Sequence, residues 1–123
     1  MLKVANKDVS NAKNFGSGDV ILATDFANIV YLPIKTNGSS PVSLNSSTPI
    51  ANLTSADYGR VLWIHNVTTS NKIIRIPSGS TNVWLDGGAT LDIPQHGIVK
   101  FMWLNIGSGG GNTGRWVQTD KLI

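Results

Sequence analysis

Residues 61–64 read Val-Leu-Trp-Ile and residues 101–104 read Phe-Met-Trp-Leu, and these two stretches decide the fold class. Both consist of residue types that favour β-strands or pack well in a core. In each stretch, apolar side chains occupy both alternating positions, so both faces of the strand need cover. Since the sequence predicts no long helix, the cover must come either from another subunit or from the chain's own loops and N-terminal segment.

The composition of the whole chain also favours strands. Only 14% of the 123 residues are charged, and the seven acidic residues are all Asp. Polarity comes instead from twelve Asn, twelve Ser and ten Thr residues, whose short side chains hydrogen-bond to the nearby backbone and compete with helix formation. The length suits one domain of ordinary size. We therefore predict an all-β protein.

Short β-like runs alternate with Gly, Pro and Asn turns from residue 20 onward. This spacing is typical of an antiparallel β-sandwich or jelly roll. One helical turn is expected at residues 54–57, where Thr54 or Ser55 can cap the turn and Gly59 can end it. The nine predicted strands cover residues 20–24, 28–34, 41–45, 60–66, 72–77, 82–86, 89–94, 98–106 and 115–119.

Residues 1–19 are polar and show neither strand nor helix periodicity. We predict an extended N-terminal arm, flexible or ordered by a partner, followed by a single β-sandwich domain over residues 20–123. The first ten residues lack the apolar core of a secretory signal, and no apolar run is long enough to span a membrane. The sequence thus predicts a protein made in the cytoplasm without a membrane partner. The net charge of +3 is scattered, so no nucleic-acid partner is expected.

Residue types that carry chemistry are few and widely spaced. The absence of Cys excludes thiol catalysis and thiolate metal sites. His65 and His96, taken with Asp86 and Asp92, repeat no metal-ligand or relay spacing, so they are interpreted as structural and turn residues. Residues 109–114 match G-x-G-x-x-G, but a strand follows, which indicates a hairpin loop. We predict no enzyme, catalytic residue, cofactor or metal; a small hydrolase ranks last among the alternatives.

The four tryptophans divide into two pairs. Trp63 and Trp103 lie in the most apolar stretches and are predicted to be core or interface residues. Trp84 and Trp116 have polar neighbours, so they are the candidates for stacking on a sugar ring. The alternative function is therefore a carbohydrate-binding or receptor-binding module, as in a tail fibre or spike.

The chain from residue 53 onward resembles a β-module of tailed-bacteriophage virion proteins, which occurs in fibres, spikes and capsid decoration proteins. The resemblance covers a little over half of the chain and lies in the order of strands, Gly turns and Trp positions. The segments that carry it are 59–66 (GRVLWIHN), 73–77 (IIRIP), 84–87 (WLDG), 89–94 (ATLDIP), 97–103 (GIVKFMW) and 114–117 (GRWV). The loop at residues 107–114 is longer than the turn such modules usually have before the last strand.

This resemblance implies a non-enzymatic structural protein of the virion that forms homotrimers. The short chain fits a capsid decoration (cement) or head-fibre protein better than a complete tail fibre. The implied partners are further copies of this chain, the major capsid protein or other virion proteins, and a host-surface glycan. The expected trimer interface comprises Val61, Trp63, Phe101 and Trp103, and the expected capsid-docking residues of the arm are Lys3, Lys7, Lys13 and Phe15.

Overall fold

A computed structural model describes residues 9–107 and 114–123 of the chain. In these ranges the regular structure consists of strands and four short 3-10 turns, with no α-helix. The turns are Val9–Asn11, Ala23–Asp25, Ser55–Asp57 and Asp86–Gly88. The strands are β1 Lys13–Asn14, β2 Tyr31–Lys35, β3 Val42–Ser43, β4 Val61–Asn66, β5 Ile74–Ile76, β6 Val83–Trp84, β7 Leu91–Ile93, β8 Ile98–Asn105 and β9 Gly114–Leu122.

The strands form two sheets of mixed orientation. The larger sheet has the order β1-β2-β4-β8-β9-β6, and the smaller has the order β3-β5-β7. From β2 to β5 the chain alternates between the sheets, so strands that are two apart in sequence become parallel neighbours. This gives the parallel pairs β2–β4 and β3–β5. The C-terminal half adds the antiparallel pairs β4–β8 and β8–β9.

One hydrophobic cluster takes side chains from both sheets. Leu62 and Ile64 of the larger sheet and Ile74 and Ile93 of the smaller sheet are all fully buried in it. At its centre the Trp103 and Trp116 rings pack with centroids 5.5 Å apart, and Phe26 meets Trp116 edge-on at 5.6 Å. Both indole nitrogens donate hydrogen bonds to backbone carbonyl oxygens, Trp103 to Thr54 and Trp116 to Ala51, each at 2.9 Å. Burial of these two rings thus leaves neither N–H unsatisfied.

The prediction of an all-β protein is confirmed, but the sheets are of mixed orientation and not antiparallel throughout as predicted. Four pairings are parallel: β1–β2, β2–β4, β3–β5 and β6–β9. Antiparallel neighbours follow from consecutive hairpins, whereas here the chain crosses to the other sheet before it returns. Turn residues mark where a strand ends but do not indicate which sheet the next strand joins.

Eight of the nine predicted strands coincide with observed ones, and the first is wrong. Within residues 20–24, only Ile21 makes an isolated bridge, with Ile50. The chain then enters the 3-10 turn Ala23–Asp25, because the Asp25 carboxylate accepts a hydrogen bond from the Leu22 amide at 2.8 Å. A side chain that satisfies a nearby backbone amide competes with strand pairing. The predicted helical turn is observed at Ser55–Asp57, with a backbone hydrogen bond from Asp57 N to Thr54 O.

The predicted boundary of the N-terminal arm at residue 19 is also corrected. β1 pairs in parallel with β2, and the side chain of Phe15, only 1% exposed, belongs to the core cluster. Lys13 forms an ion pair with Asp25 at 3.2 Å. Residues 13–15 are therefore part of the β-domain, because a buried phenyl ring and a strand pairing attach them to it. Residues 1–8 lie outside the described residues.

Candidate functional sites

The outward side of the larger sheet carries a broad apolar surface. Strand alternation directs Val61 and Trp63 of β4, Met102 and Leu104 of β8, and Val117 of β9 away from the core, and all five side chains are partly exposed. The register places Val61 opposite Met102 and Met102 opposite Val117. We call the outward side chains of β2, β4, β8 and β9 the outer face. An antiparallel sheet that faces water usually carries polar residues there.

The predicted trimer interface is divided between the two sides of this sheet. Val61 and Trp63 lie on the outer face, whereas Phe101 and Trp103 point inward and are fully buried in the chain's own core. The assignment of Phe101 and Trp103 to an interface is therefore wrong. Both alternating positions of β8 are apolar, so hydrophobicity alone did not separate the two sides. The neighbours Met102 and Leu104, which the sequence prediction missed, occupy the outward positions.

Polar groups interrupt the outer face at several positions, among them Arg115 opposite Leu104, Lys100, and the pair Tyr31 and His65. The Lys100 ammonium lies 5.5 Å from the centroid of the Trp63 ring and forms a cation–π interaction with its aromatic face. The Tyr31 hydroxyl and the Nδ1 atom of His65 are hydrogen-bonded at 2.7 Å. Partial burial lowers the pKa of His65 below its ordinary value, and the charge of His96 acts in the same direction, although a backbone hydrogen bond at His96 opposes it. Burial likewise raises the pKa of Tyr31.

The two tryptophans predicted for ligand stacking differ in exposure. Trp116 is fully buried, so its assignment as a ligand-stacking residue is wrong. Its polar neighbour Arg115 lies on the opposite side of β9 by strand alternation and gives no information on the burial of the Trp116 side. Trp84, on β6 at the sheet edge, is 54% exposed. It lines a cleft of about 290 Å3 together with Ser78, Ser80 and Leu85.

Of the four predicted docking residues, the structure describes Lys13 and Phe15. Phe15 is buried in the core, so its assignment to capsid docking is wrong, because its ring is unavailable to a partner. Lys13 is exposed and pairs with Asp25. Lys3 and Lys7 lie outside the described residues, as does most of the Gly-rich loop at residues 107–114.

A second cleft, of about 340 Å3, opens where β1 and β2 end, and the sequence analysis did not identify it. Its walls are polar and basic, and they include Lys35, Lys72, Asn14, Asn37, Thr69 and Ser70. These residues come from three separate parts of the chain. No local motif in the sequence could therefore have indicated the site.

His65, His96, Asp86 and Asp92 do not assemble into one site. His96 is an exposed turn residue with φ of +71°, and Asp92 forms an ion pair with Arg75 at 2.7 Å. Across residues 9–107 and 114–123, no group of three or more His or Asp side chains is placed to hold a metal ion. No helix in the same ranges is long and apolar enough to cross a membrane.

Comparisons with known proteins found no protein-family model, no curated protein and no solved structure that matches this chain.

Proposed function

We propose that this chain is a non-enzymatic structural protein of a tailed-bacteriophage virion, a capsid decoration (cement) or head-fibre protein that forms trimers on the virion surface and stabilises the capsid. The observation that carries the self-association is the outer face, where Val61, Trp63, Met102 and Val117 lie side by side and all remain partly exposed. Contiguous exposed apolar surface of this kind marks interaction sites in soluble proteins.

A second copy of the chain fits this surface better than a small ligand does. The outer face follows the extended strands β4, β8 and β9, whereas small-molecule sites are concave. Trp63 and Met102 belong to the residue types that are enriched at protein interfaces, and Trp is also enriched among hot-spot residues. The number of three subunits and the virion location rest on the sequence resemblance to phage virion modules.

The finer fold assignment belongs to the same proposal. The two sheets send side chains into one core cluster, which supports a sandwich of jelly-roll type in which parallel pairs replace part of the antiparallel pattern. Contact with the major capsid protein is proposed for the chain before β1, where Lys3 and Lys7 lie, because Phe15 is committed to the core.

Native mass spectrometry of the purified chain and of two variants tests self-association. Trp63→Glu places a charge on the outer face, and we expect it to convert the trimer to monomers because an unpaired charge would be buried in the interface. Leu22→Glu is the control, because it places the same charge at an exposed apolar residue outside the strands of the larger sheet, and it should remain trimeric. Circular dichroism checks that both variants fold. A monomeric wild-type chain at every concentration up to the millimolar range would contradict the proposed self-association.

Co-sedimentation with capsids that lack the chain tests the virion assignment separately. We expect wild-type protein to sediment with such capsids, and Lys3→Ala with Lys7→Ala to sediment less. A trimer that stays in the supernatant would retain the proposed interface but contradict capsid decoration.

Carbohydrate binding is the second candidate function, and the exposure of Trp84 favours it. The indole can stack on a sugar ring while the hydroxyls of Ser78 and Ser80, which line the same cleft, accept or donate hydrogen bonds. A glycan array with the wild type and Trp84→Ala tests it. Binding that Trp84→Ala abolishes would support this function, whereas identical array profiles of the two proteins would exclude Trp84 from it.

A further inference from the structure

We propose that the polar cleft between the end of β2 and the loop at residues 68–72 is a binding site for an oxyanion, either a phosphate or the carboxylate of an acidic sugar. We call it the basic cleft and define it by Lys35, Lys72, Asn14, Asn37, Thr69 and Ser70. It shares no residue with the cleft at Trp84 and meets the outer face only at Lys35, the last residue of β2, and the proposal does not depend on the function proposed above.

The basic cleft is positively charged. Both of its ionisable side chains are lysines, and no Asp lines it. The ion pairs of the described ranges are Lys13–Asp25 and Arg75–Asp92, so no described carboxylate oxygen lies within 4.0 Å of the Lys35 or Lys72 ammonium. Two cations without a carboxylate partner in one concave site favour an anion.

The side chain of Lys72 is held in place by a hydrogen bond. Its Nζ atom donates a hydrogen bond to the Gly38 carbonyl oxygen at 2.5 Å, which holds this long side chain beside the loop that follows β2. An ammonium has three donors, so two remain for a ligand. Because this lysine is already ordered, binding loses less side-chain entropy than binding to a free surface lysine would.

A buried hydrogen-bond network centred on Asn66 includes Thr36 and Thr68, which also line the cleft. The Asn66 side-chain amide donates to the carbonyl oxygens of Lys72 and Ile93, both at 2.9 Å, and its Oδ1 atom accepts from the Thr68 hydroxyl at 2.6 Å. The Thr68 hydroxyl oxygen in turn accepts from the Thr36 amide at 3.1 Å. These hydrogen bonds connect the two loops that form the cleft, which preorganises the site.

The remaining lining groups and the volume define the ligand. Asn14, Asn37, Thr69 and Ser70 add amides and hydroxyls, which suit the hydroxyl groups of a sugar or the further oxygens of a phosphate. A volume of about 340 Å3 is at the low end of small-molecule sites, which span roughly 300–1,000 Å3. The cleft thus fits a single small anion or one acidic monosaccharide.

A titration followed by amide resonances of 15N-labelled full-length protein tests the proposal. The probes are inorganic phosphate, glucuronate and glucose, each at constant ionic strength, with sodium chloride as the salt control. We expect phosphate, glucuronate or both to shift resonances of residues 35–37 and 68–72, while glucose and chloride do not. A response to phosphate alone or to glucuronate alone would identify the source of the oxyanion.

Lysine variants distinguish a site from general attraction to a basic protein. Lys35→Met should weaken binding about tenfold, because one charge-assisted hydrogen bond is lost, and Lys35→Met with Lys72→Met should abolish it. Lys121→Met removes the same charge from an exposed position on β9 and should bind as the wild type does. The single variant keeps the Lys72–Gly38 bond, so it remains informative if the double variant unfolds. Equal affinities in Lys35→Met and Lys121→Met, an equal response to glucose, or no shift with any probe would overturn the proposal.

Discussion

Gly114 shows how closely single residues of the core are fitted. A Cβ atom at this position would lie 2.2 Å from Cζ2 of the Trp103 indole, and this ring is itself packed against Trp116. A rigid, fully buried ring cannot move away as the tip of a flexible chain would. The absence of a side chain at the start of β9 is therefore what allows β9 to approach β8.

Gly114→Ala should consequently lower the free energy of unfolding by about 1–3 kcal/mol, the usual cost of overpacking a core. Urea denaturation followed by Trp fluorescence measures it. Gly16→Ala is the matched control, because a Cβ atom there would have its nearest contact at an ordinary 3.7 Å, from Asp19. If the two variants are equally stable, the packing described around Trp103 is incorrect.

Asn66 is a buried polar side chain whose hydrogen bonds are as specific as the packing around Gly114. It is fully buried at the end of β4, and its amide and carbonyl groups make four hydrogen bonds, to Lys72, Ile93 and twice to Thr68. Removing the side chain would leave two backbone carbonyls and one backbone amide without these partners.

We expect Asn66→Ala to reduce the free energy of unfolding by about 3 kcal/mol, from unsatisfied buried groups and a small cavity together. Asn71→Ala, at an exposed position in the adjoining loop, should change it by less than about 0.5 kcal/mol. Chemical denaturation of both variants provides the measurement. A loss below 1 kcal/mol in Asn66→Ala would mean that the network contributes little to stability.

At the scale of elements, β1 is attached to the domain mainly through Phe15. The strand itself has two residues and exposed side chains, and the residue after it places a phenyl ring in the core. The Phe15 amide also donates to the Lys35 carbonyl oxygen at 2.8 Å. A short edge strand of this kind derives its stability from the side chain that follows it rather than from its own pairing.

Phe15→Ala should therefore destabilise the protein by about 3–5 kcal/mol, as for other buried phenylalanines. Lys13→Ala, which removes an exposed side chain and its ion pair with Asp25 from the same strand, should cost under about 1 kcal/mol. Thermal unfolding compares the two. Similar melting temperatures for both variants would indicate that residues 13–15 are a detachable arm, as the polar sequence of residues 1–19 first predicts.

The elements also show what the sequence could reveal. Apolar runs bounded by turn residues were sufficient to locate strands such as β4 and β8, because that signal is local. The direction in which Phe101 and Met102 point depends on the pairing register, and the parallel orientation of β2 and β4 depends on a crossover between sheets. Both are set by contacts between distant residues. The basic cleft was missed for the same reason, since its residues meet only after folding.

At the scale of the whole molecule, one sheet is apolar on both sides. The inner side packs against the smaller sheet in the core cluster, and the apolar side chains of the outer face remain partly exposed. His65 lies within this outer face, hydrogen-bonded to Tyr31, and its pKa is already lowered by partial burial in the single chain. A subunit that covers the outer face would remove more water from the imidazole and lower its pKa further.

The proposed trimer should therefore weaken as the solution is acidified. A histidine whose pKa is lower in the associated state than in the free chain binds fewer protons on association, so association is strongest above the pKa of His65 in the free chain, itself below the ordinary histidine value, and weakens as the pH falls through it. Sedimentation velocity between pH 8 and pH 5 measures this. His65→Gln, which keeps a partner for the Tyr31 hydroxyl but does not titrate, should remove the dependence, whereas His96→Gln at the exposed turn should largely retain it. A trimer that dissociates identically in wild type and His65→Gln would show that the imidazole is not covered, and that the subunits meet elsewhere.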